Sequence, residues 1–143
     1  MNQTLKKFLY PKTLIKKYKN WYLLLRRDQV TFGSLVLIEK SFKKKFSHLS
    51  QESLKELKII TNDIEKYFYK EYSISKINYL ILMMVDPDVH FHIIPRHEKK
   101  IYFLDVVFKD FGYPSIPKLL KKNNISDKKF FLLKNKFKKN FKN

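Results

Sequence analysis

The sequence predicts an α+β domain in which about five antiparallel strands form a meander and a long helix packs on one face. Three features predict this class. Short apolar, strand-like runs follow one another along the chain, one long segment has helical periodicity, and residues 88–93 alternate strictly between polar and apolar. Consecutive strands joined by short turns pair antiparallel, and an amphipathic helix buries its apolar side against such a sheet.

The length of 143 residues suits a single domain. We expect a core over about 20–114, a basic arm over 1–19 and a basic extension over 115–143. The chain has no cysteine, which excludes disulfides and thiolate metal sites. No apolar run approaches the roughly 20 residues of a membrane-spanning helix, and residues 1–7 lack the apolar region of a signal peptide. The expected location is therefore the cytoplasm.

The formal net charge of +18 is concentrated at the two ends of the chain. Lysines dominate residues 1–20 and 115–143, whereas acidic and basic residues nearly balance over 21–114. Basic ends favour weak contact with nucleic acid or another anionic surface. A compositional bias towards lysine, asparagine and phenylalanine explains the same charge without any function.

Two strand-like runs precede the predicted helix. Residues 21–27 read as the first core strand, and residues 32–40, entered through Gly33, read as the second; together they predict an antiparallel hairpin. Ahead of them, residues 1–18 are interrupted by Pro11, which indicates either a short helix on each side of the proline or an irregular docked arm.

The long helix is predicted over about 50–71. Ser50 is a good N-cap, and Leu49 and Leu54 stand at the positions of a hydrophobic staple. Its apolar residues recur at helical spacing and should form the buried stripe. They are Leu54, Leu57, Ile60, Ile64, Tyr67 and Phe68.

The second half of the chain predicts further short elements. Residues 77–85 are apolar on both faces and read as a central strand, and a tight reversal at Asp86 and Pro87 pairs it with the strand over 88–96. Residues 101–108 indicate a short edge strand or lid, and 110–114 a turn. Short helices are expected at 116–120 and, capped by Ser126, at 127–134. This basic tail should lie on the core, a partner or an anionic surface, and fray near Asn143.

The alternating strand carries the candidate site. Side chains at every second position share a strand face, so Asp88, His90 and His92 should point one way. The apolar residues between them should point towards the core. Two imidazoles and a carboxylate on one face indicate a functional site.

These residues resemble the signature of the histidine-triad (HIT) superfamily of nucleotide hydrolases and transferases. That signature reads His-φ-His-φ-His-φ-φ, with φ apolar, and is often followed by Pro-Arg. Residues 89–96, Val-His-Phe-His-Ile-Ile-Pro-Arg, match it, but Asp88 replaces the first histidine. Residues 33–40 resemble a second family block, with Ser34 and Glu39 replacing its histidine and proline. Residues 83–87 stand where many family members have a glycine-rich, phosphate-binding segment.

The resemblance implies a role for each matching residue. His90 falls on the nucleophile, His92 on the histidine that contacts the phosphate and leaving group, and Asp88 on the hydrogen-bond relay. A carboxylate at that position either orients an imidazole and preserves catalysis, or repels an anionic phosphate and weakens it. Arg96 and Asn78 are the candidate substrate-binding residues. For Arg96, a bidentate bond to phosphate and an ion pair with an acidic side chain are equally open.

The function implied by the resemblance is that of a nucleotide hydrolase or nucleotidyltransferase. It would act at an α-phosphate of dinucleoside polyphosphates or nucleoside phosphoramidates, as a homodimer and without a cofactor. One alternative is a binding module for nucleotides or nucleic acid with weakened catalysis, and another is a metal site of Asp88, His90 and His92. His48 and His97 are expected to be ordinary polar residues. Phosphate-binding loops and the Gly-x-Ser-x-Gly motif are absent from the sequence.

Overall fold

The computed structural model describes residues 1–141, which form a five-stranded antiparallel sheet, a separate two-stranded hairpin and three α-helices. The predicted α+β class is confirmed. In chain order the elements are α1 (Gln3–Lys7), β1 (Leu14–Lys17), β2 (Trp21–Leu25), β3 (Leu35–Glu39), a 3₁₀ turn (Phe46–His48), α2 (Gln51–Glu71), β4 (Lys76–Leu80), β5 (His90–Arg96), β6 (Ile101–Phe103), β7 (Val106–Phe108) and α3 (Asp127–Asn140). The large sheet has the order β1-β2-β3-β5-β4.

The N-terminal arm is more regular than predicted. It forms α1 before Pro11 and the edge strand β1 after it, so the prediction of a helix after the proline is wrong. The predicted first core strand is therefore the second, β2. It pairs antiparallel with β3, with Leu24 opposite Val36, which confirms the hairpin.

The predicted central strand over 77–85 is a short edge strand, β4, and this changes the expected meander order. β5 inserts between β3 and β4 and pairs antiparallel with both. The chain leaves the sheet after Leu80, and Met83 takes a positive φ of 54°. Met84 and Val85 are 83% and 84% exposed. The apolar run continues beyond the strand because its side chains border a cavity instead of entering the core.

Helix α2 begins where the sequence predicts. The Ser50 hydroxyl accepts a hydrogen bond from the backbone N–H of Ser53 at 3.1 Å, which confirms the N-cap. Leu54, however, is 41% exposed, so its assignment to the buried stripe is wrong. The inward position of this first turn belongs to Ser53, whose hydroxyl donates to the buried Glu39 carboxylate at 2.6 Å.

The C-terminal extension packs on the core in its described part. Helix α3 follows the predicted cap Ser126, and its buried aromatic residues join the side chains of α2 on one face of the sheet. The rings of Phe137 and Phe68 lie 5.5 Å apart, and both approach Gly33, where a Cβ atom would lie 2.5 Å from Phe68. No helix forms at 116–120, which contains turns. Residues 142–143, where fraying is expected, lie outside the described residues.

The opposite face of the sheet is covered by α1. Leu5 and Phe8 pack there against Leu24, Val36 and Ile38.

Residues 101–108 form the separate hairpin of β6 and β7. Among the helices of residues 1–141, none has both the length and the apolar character needed to cross a membrane.

Candidate active site

The two histidines of the alternating strand lie side by side under α1. On β5, His90 is opposite Ile38 of β3 and His92 is opposite Val36, so both imidazoles share the sheet face that α1 covers. Their ring centroids are 5.0 Å apart, and the Phe8 ring lies 5.8 Å from His90 and 6.0 Å from His92. Both border a cavity of about 330 Å³, a volume within the range of small-molecule sites. The rest of its wall comprises Lys7, Phe8, Arg26, Leu82, Met83, Met84, Val85, Asp86, Leu119 and Leu120.

The tautomer of His90 is fixed by the main chain. His90 Nδ1 lies 2.6 Å from the backbone carbonyl oxygen of Asp88. A carbonyl oxygen only accepts hydrogen bonds, so Nδ1 carries the proton and donates it. In the neutral ring the lone pair is then on Nε2. His90 therefore has the arrangement of an oriented nucleophile at the cavity wall.

His92 is an uncharged group at neutral pH. Burial, followed by electrostatic interaction with His90 and Arg26, lowers the pKa of His92 from 6.5 to about 4. Its Nδ1 is buried and has no hydrogen-bond partner in the described part of the chain. His92 thus offers the cavity a hydrogen-bonding group without a permanent charge.

The Asp88 carboxylate points to α1, which covers the face of the two histidines, but it does not border their cavity. It precedes β5, is buried, and accepts hydrogen bonds from the Asn2 amide at 2.9 Å and the Thr4 hydroxyl at 2.8 Å, with Lys44 as its ion-pair partner. Burial alone would raise the pKa of Asp88, but the bonds from Lys44, Asn2 and Thr4 hold it below its ordinary value. The group that orients His90 is the backbone carbonyl of Asp88, and its carboxylate holds the N-terminal arm.

Helix α1 is fastened at both ends above the histidines. The Asn2 side chain caps α1 by accepting from the Thr4 N–H at 2.8 Å, while its amide donates to Asp88. Near the other end, Lys7 pairs with Asp86 of the 81–87 loop at 2.8 Å. These contacts place Phe8 against both imidazoles, so the arm is part of the cavity wall.

The two predicted substrate-binding residues lie together, apart from the histidine cavity. Arg96 forms a bidentate ion pair with Asp110 at 2.7 and 3.1 Å and donates to the Asn78 side chain at 2.9 Å. Arg96 and Asn78 border a second cavity of about 510 Å³, whose wall contains neither His90 nor His92. The acidic pairing considered for Arg96 is thus present, and it is buried. A substrate contact of either residue stays a prediction.

The remaining candidates of the sequence occupy structural positions. His97 is buried, with one ring nitrogen 2.8 Å from the Lys99 carbonyl and the other accepting from the Phe32 N–H at 3.2 Å, which confirms its expected structural role. Ser34 is also buried and bonds to Thr31. Across residues 1–141, no group of three or more acidic or histidine side chains is arranged to hold a metal ion. The ligand set considered for a metal is not assembled, because the Asp88 carboxylate is bonded to Asn2, Thr4 and Lys44.

The side chains of the cavity wall that the sequence analysis missed include Lys7, Phe8 and Arg26. Arg26 was open to prediction, because it continues the alternation of Tyr22 and Leu24 along the β2 run and therefore faces the histidine side. No alternation or other sequence pattern marks Lys7 and Phe8 as part of the cavity wall. Their position depends on the contact between α1 and Asp88, which joins residues more than 80 positions apart.

A five-stranded antiparallel sheet with a long helix on one face and a His-x-His pair on an inner strand defines the class of histidine-triad folds. Comparison of the sequence with models of protein families and with characterised proteins gives no match. Solved structures similar to this chain include a histidine triad (HIT) protein from Sinorhizobium meliloti 1021, with a TM-score of 0.70 and 17% identity over 98% of this chain and 95% of that one.

Two further neighbours have the same fold. A histidine triad protein from Marinobacter aquaeolei VT8 has a TM-score of 0.67 and 16% identity over 99% of this chain and 96% of that one. The Plasmodium falciparum diadenosine triphosphate hydrolase, solved with cyclomarin A, has a TM-score of 0.60 and 15% identity over 92% and 77% of the two chains. The predicted HIT-like fold is therefore confirmed.

Replacing Asp88 by alanine should destabilise the protein and release the N-terminal arm. The change removes three hydrogen bonds to a buried carboxylate, which we expect to lower the free energy of unfolding by about 2–3 kcal/mol. Urea unfolding measures the loss, and limited trypsin digestion at Lys6 and Lys7 measures the release. The matched control is Asp105→Ala, whose ion pair with Lys129 is exposed and should leave both readouts unchanged. An Asp88→Ala protein with a protected arm contradicts the assignment.

Stability should fall on acidification between about pH 6.5 and pH 4. In this interval unfolded histidine takes up a proton that buried His92, with its pKa lowered to about 4, does not. Protons therefore favour the unfolded state, and the free energy of unfolding decreases as pH falls through the interval. Burial shifts the pKa of His97 in the same direction. Urea unfolding at pH 7.5, 6 and 4.5 measures the slope, which should be shallower in His92→Gln; equal slopes in the two proteins contradict it.

Proposed function

We propose that the protein is a nucleotide hydrolase or nucleotidyltransferase that acts at an α-phosphate, with His90 as the nucleophile. The observation that carries the proposal is the bond from His90 Nδ1 to the Asp88 carbonyl, which leaves Nε2 as the basic nitrogen in a ligand-sized cavity. A neutral, oriented imidazole is the form of histidine that attacks phosphorus. The histidine-triad fold, which a diadenosine triphosphate hydrolase shares, is consistent with this chemistry.

The reaction proceeds in two displacements. His90 Nε2 attacks the α-phosphorus, a nitrogen–phosphorus bond forms, and the bond from phosphorus to the leaving group breaks. The Nδ1 proton remains on the ring and stays hydrogen-bonded to the Asp88 carbonyl oxygen. This bond stabilises the positive charge that develops on the imidazole. Water, or the hydroxyl group of an acceptor in a transferase, then attacks phosphorus and loses its proton to solvent. The nitrogen–phosphorus bond breaks, its electron pair returns to His90 Nε2, and the nucleoside monophosphate or its ester is released. The chain's own groups supply this chemistry, and no cofactor enters it.

Dinucleoside polyphosphates and nucleoside phosphoramidates are the substrate classes to test. Purified protein is incubated with diadenosine triphosphate, diadenosine tetraphosphate and adenosine phosphoramidate, and the release of AMP is followed by chromatography. Rapid quenching at high enzyme concentration, followed by intact-mass measurement, should detect a covalent adenylyl adduct on the protein. Absence of both turnover and adduct for all three compounds contradicts the proposal.

A binding module with weakened catalysis is the second candidate, and the composition of the 81–87 loop favours it. The loop presents apolar side chains to the cavity and has no glycine to bring backbone N–H groups close to a phosphate. The discriminating change is Asp88→His, which restores the triad signature but removes the anchor of α1. A gain of hydrolysis indicates a decayed active site; a loss indicates that Asp88 supports the present site. Binding to nucleic acid through the basic ends should weaken steeply with salt.

The oligomeric state is inferred by analogy with other histidine-triad folds, and the location is expected from the composition. We infer a homodimer because histidine-triad proteins commonly form one, and β4 is an open edge of the sheet in this chain. The cytoplasmic location expected from the composition stays a prediction as well.

A further inference from the structure

Two side chains that line the same cavity each carry a buried polar atom without a partner within residues 1–141. Within residues 1–141, the side-chain nitrogens that are buried and lack a hydrogen bond are Arg26 Nε and His92 Nδ1. Each such atom costs about 1–3 kcal/mol when it is left unpaired. Both side chains belong to the wall of the cavity that contains His90. The presence of two incompletely bonded polar side chains in one cavity wall indicates a site for a polar ligand.

The charge of the cavity determines the ligand. Lys7 is neutralised by Asp86 at 2.8 Å, and His92 is uncharged at neutral pH. Arg26 donates through Nη1 to the Asp28 carbonyl at 3.1 Å and has no carboxylate partner in the described chain. Burial lowers the pKa of Arg26, yet a guanidinium keeps its proton in proteins. Arg26 therefore contributes a half-buried positive charge without a direct ion pair to a mainly apolar wall, and within residues 1–141 only the charge of nearby Asp28 offsets it.

Because the 81–87 loop presents apolar side chains to the cavity, a phosphate bound there needs a cation from another part of the wall. A phosphate in the cavity receives little from a wall formed by Leu82, Met83 and Val85, so its charge must be met elsewhere. A guanidinium matches phosphate oxygens with several parallel donors. The apolar wall suits the planar, apolar part of a nucleotide.

We propose that Arg26 binds the phosphate of the substrate, with the phosphate seated between Arg26 and the His90 and His92 pair. The assignment rests on the proposed function and names the cation that this function requires. Arg26, at the end of β2, thus takes over the charge neutralisation that the 81–87 loop does not provide. His92 contacts the same phosphate through an imidazole nitrogen.

Binding of AMP to the full-length protein, measured by calorimetry at pH 7.5, tests the assignment without requiring turnover. Arg26→Gln should weaken AMP binding by about 10- to 100-fold, because a charge-assisted bond is lost. Arg26→Lys keeps the charge without the fork of donors and should be intermediate. The matched control is Arg27→Gln, which removes the same charge from the next residue, where the side chain pairs with Asp127 instead of bordering the cavity. Adenosine, which lacks phosphate, should bind weakly and equally to wild type and Arg26→Gln.

The outcomes separate this assignment from the proposed function. Arg26→Gln with wild-type affinity, adenosine bound as tightly as AMP, or no AMP binding by the wild type would each overturn the assignment. Turnover together with unchanged affinity in Arg26→Gln overturns the Arg26 assignment alone. AMP binding that depends on Arg26 in a protein without turnover supports the assignment and contradicts the hydrolase. Circular dichroism of each variant verifies that it is folded.

Discussion

Replacing His90 by alanine should reduce turnover of dinucleoside polyphosphates by a factor on the order of 10³ or more, because the attacking nitrogen is lost. The covalent adenylyl adduct should disappear with it. Affinity for AMP should change less, because the phosphate charge is met by Arg26 and not by His90. The measurement is the initial rate of AMP release, with the adduct followed by intact mass.

The control for this change is His48→Ala. His48 lies in the exposed 3₁₀ turn, outside the histidine cavity, so its removal alters the histidine count but not the site. The smaller variant His90→Gly leaves space for a free imidazole, and partial recovery of the rate on adding imidazole would identify the missing group as the nucleophile. A fully active His90→Ala protein rules out the mechanism, whichever substrate is turned over.

The parts of the fold that the sequence predicted well are those encoded locally. The N-cap at Ser50, the extent of α2 and the pairing of β2 with β3 depend on residues close together in the chain. The position of β4 does not. Its apolar run is long enough for a central strand, but whether a strand lies inside or at the edge depends on which strand pairs beside it. Here β5 takes the inner place, and residues beyond Leu80 border the cavity.

The candidate site also combines features encoded locally with features that depend on residues far apart in the chain. Alternation along β5 placed His90 and His92 on one face, and the structure agrees. Alternation also placed Asp88 on this side, and its carboxylate does point to α1, but Asn2 and Thr4 bind it and it does not border the cavity. Alternation predicts the side of the sheet that a side chain faces, but not the partners that it meets there. Its partners Asn2 and Thr4 lie more than 80 residues away along the chain, where no local pattern marks them.

Replacing Asp110 by alanine should lower the free energy of unfolding by about 3–5 kcal/mol, because it leaves the Arg96 guanidinium buried without its counterion. The Arg96 and Asp110 side chains are 6% and 1% exposed, and the carboxylate also accepts from the Gly112 N–H at 3.2 Å. Urea unfolding measures the change. The matched control is Asp28→Ala, since its pair with Lys122 is exposed and should contribute less than about 1 kcal/mol.

The double variant Asp110→Ala with Arg96→Met decides what Arg96 is for. If the arginine serves mainly to pair with Asp110, removing its charge should restore part of the stability lost in Asp110→Ala, because the uncompensated charge disappears. AMP affinity of Arg96→Met should then equal that of the wild type. If Arg96 is instead a phosphate ligand, as the histidine-triad resemblance allows, Arg96→Met loses AMP affinity, and the second cavity, bordered by Arg96 and Asn78, belongs to the substrate site. If Arg96 mainly pairs with Asp110, removing its charge restores stability and leaves AMP affinity unchanged. If Arg96 binds phosphate, its removal lowers AMP affinity. Measuring both quantities on these variants therefore separates the two roles.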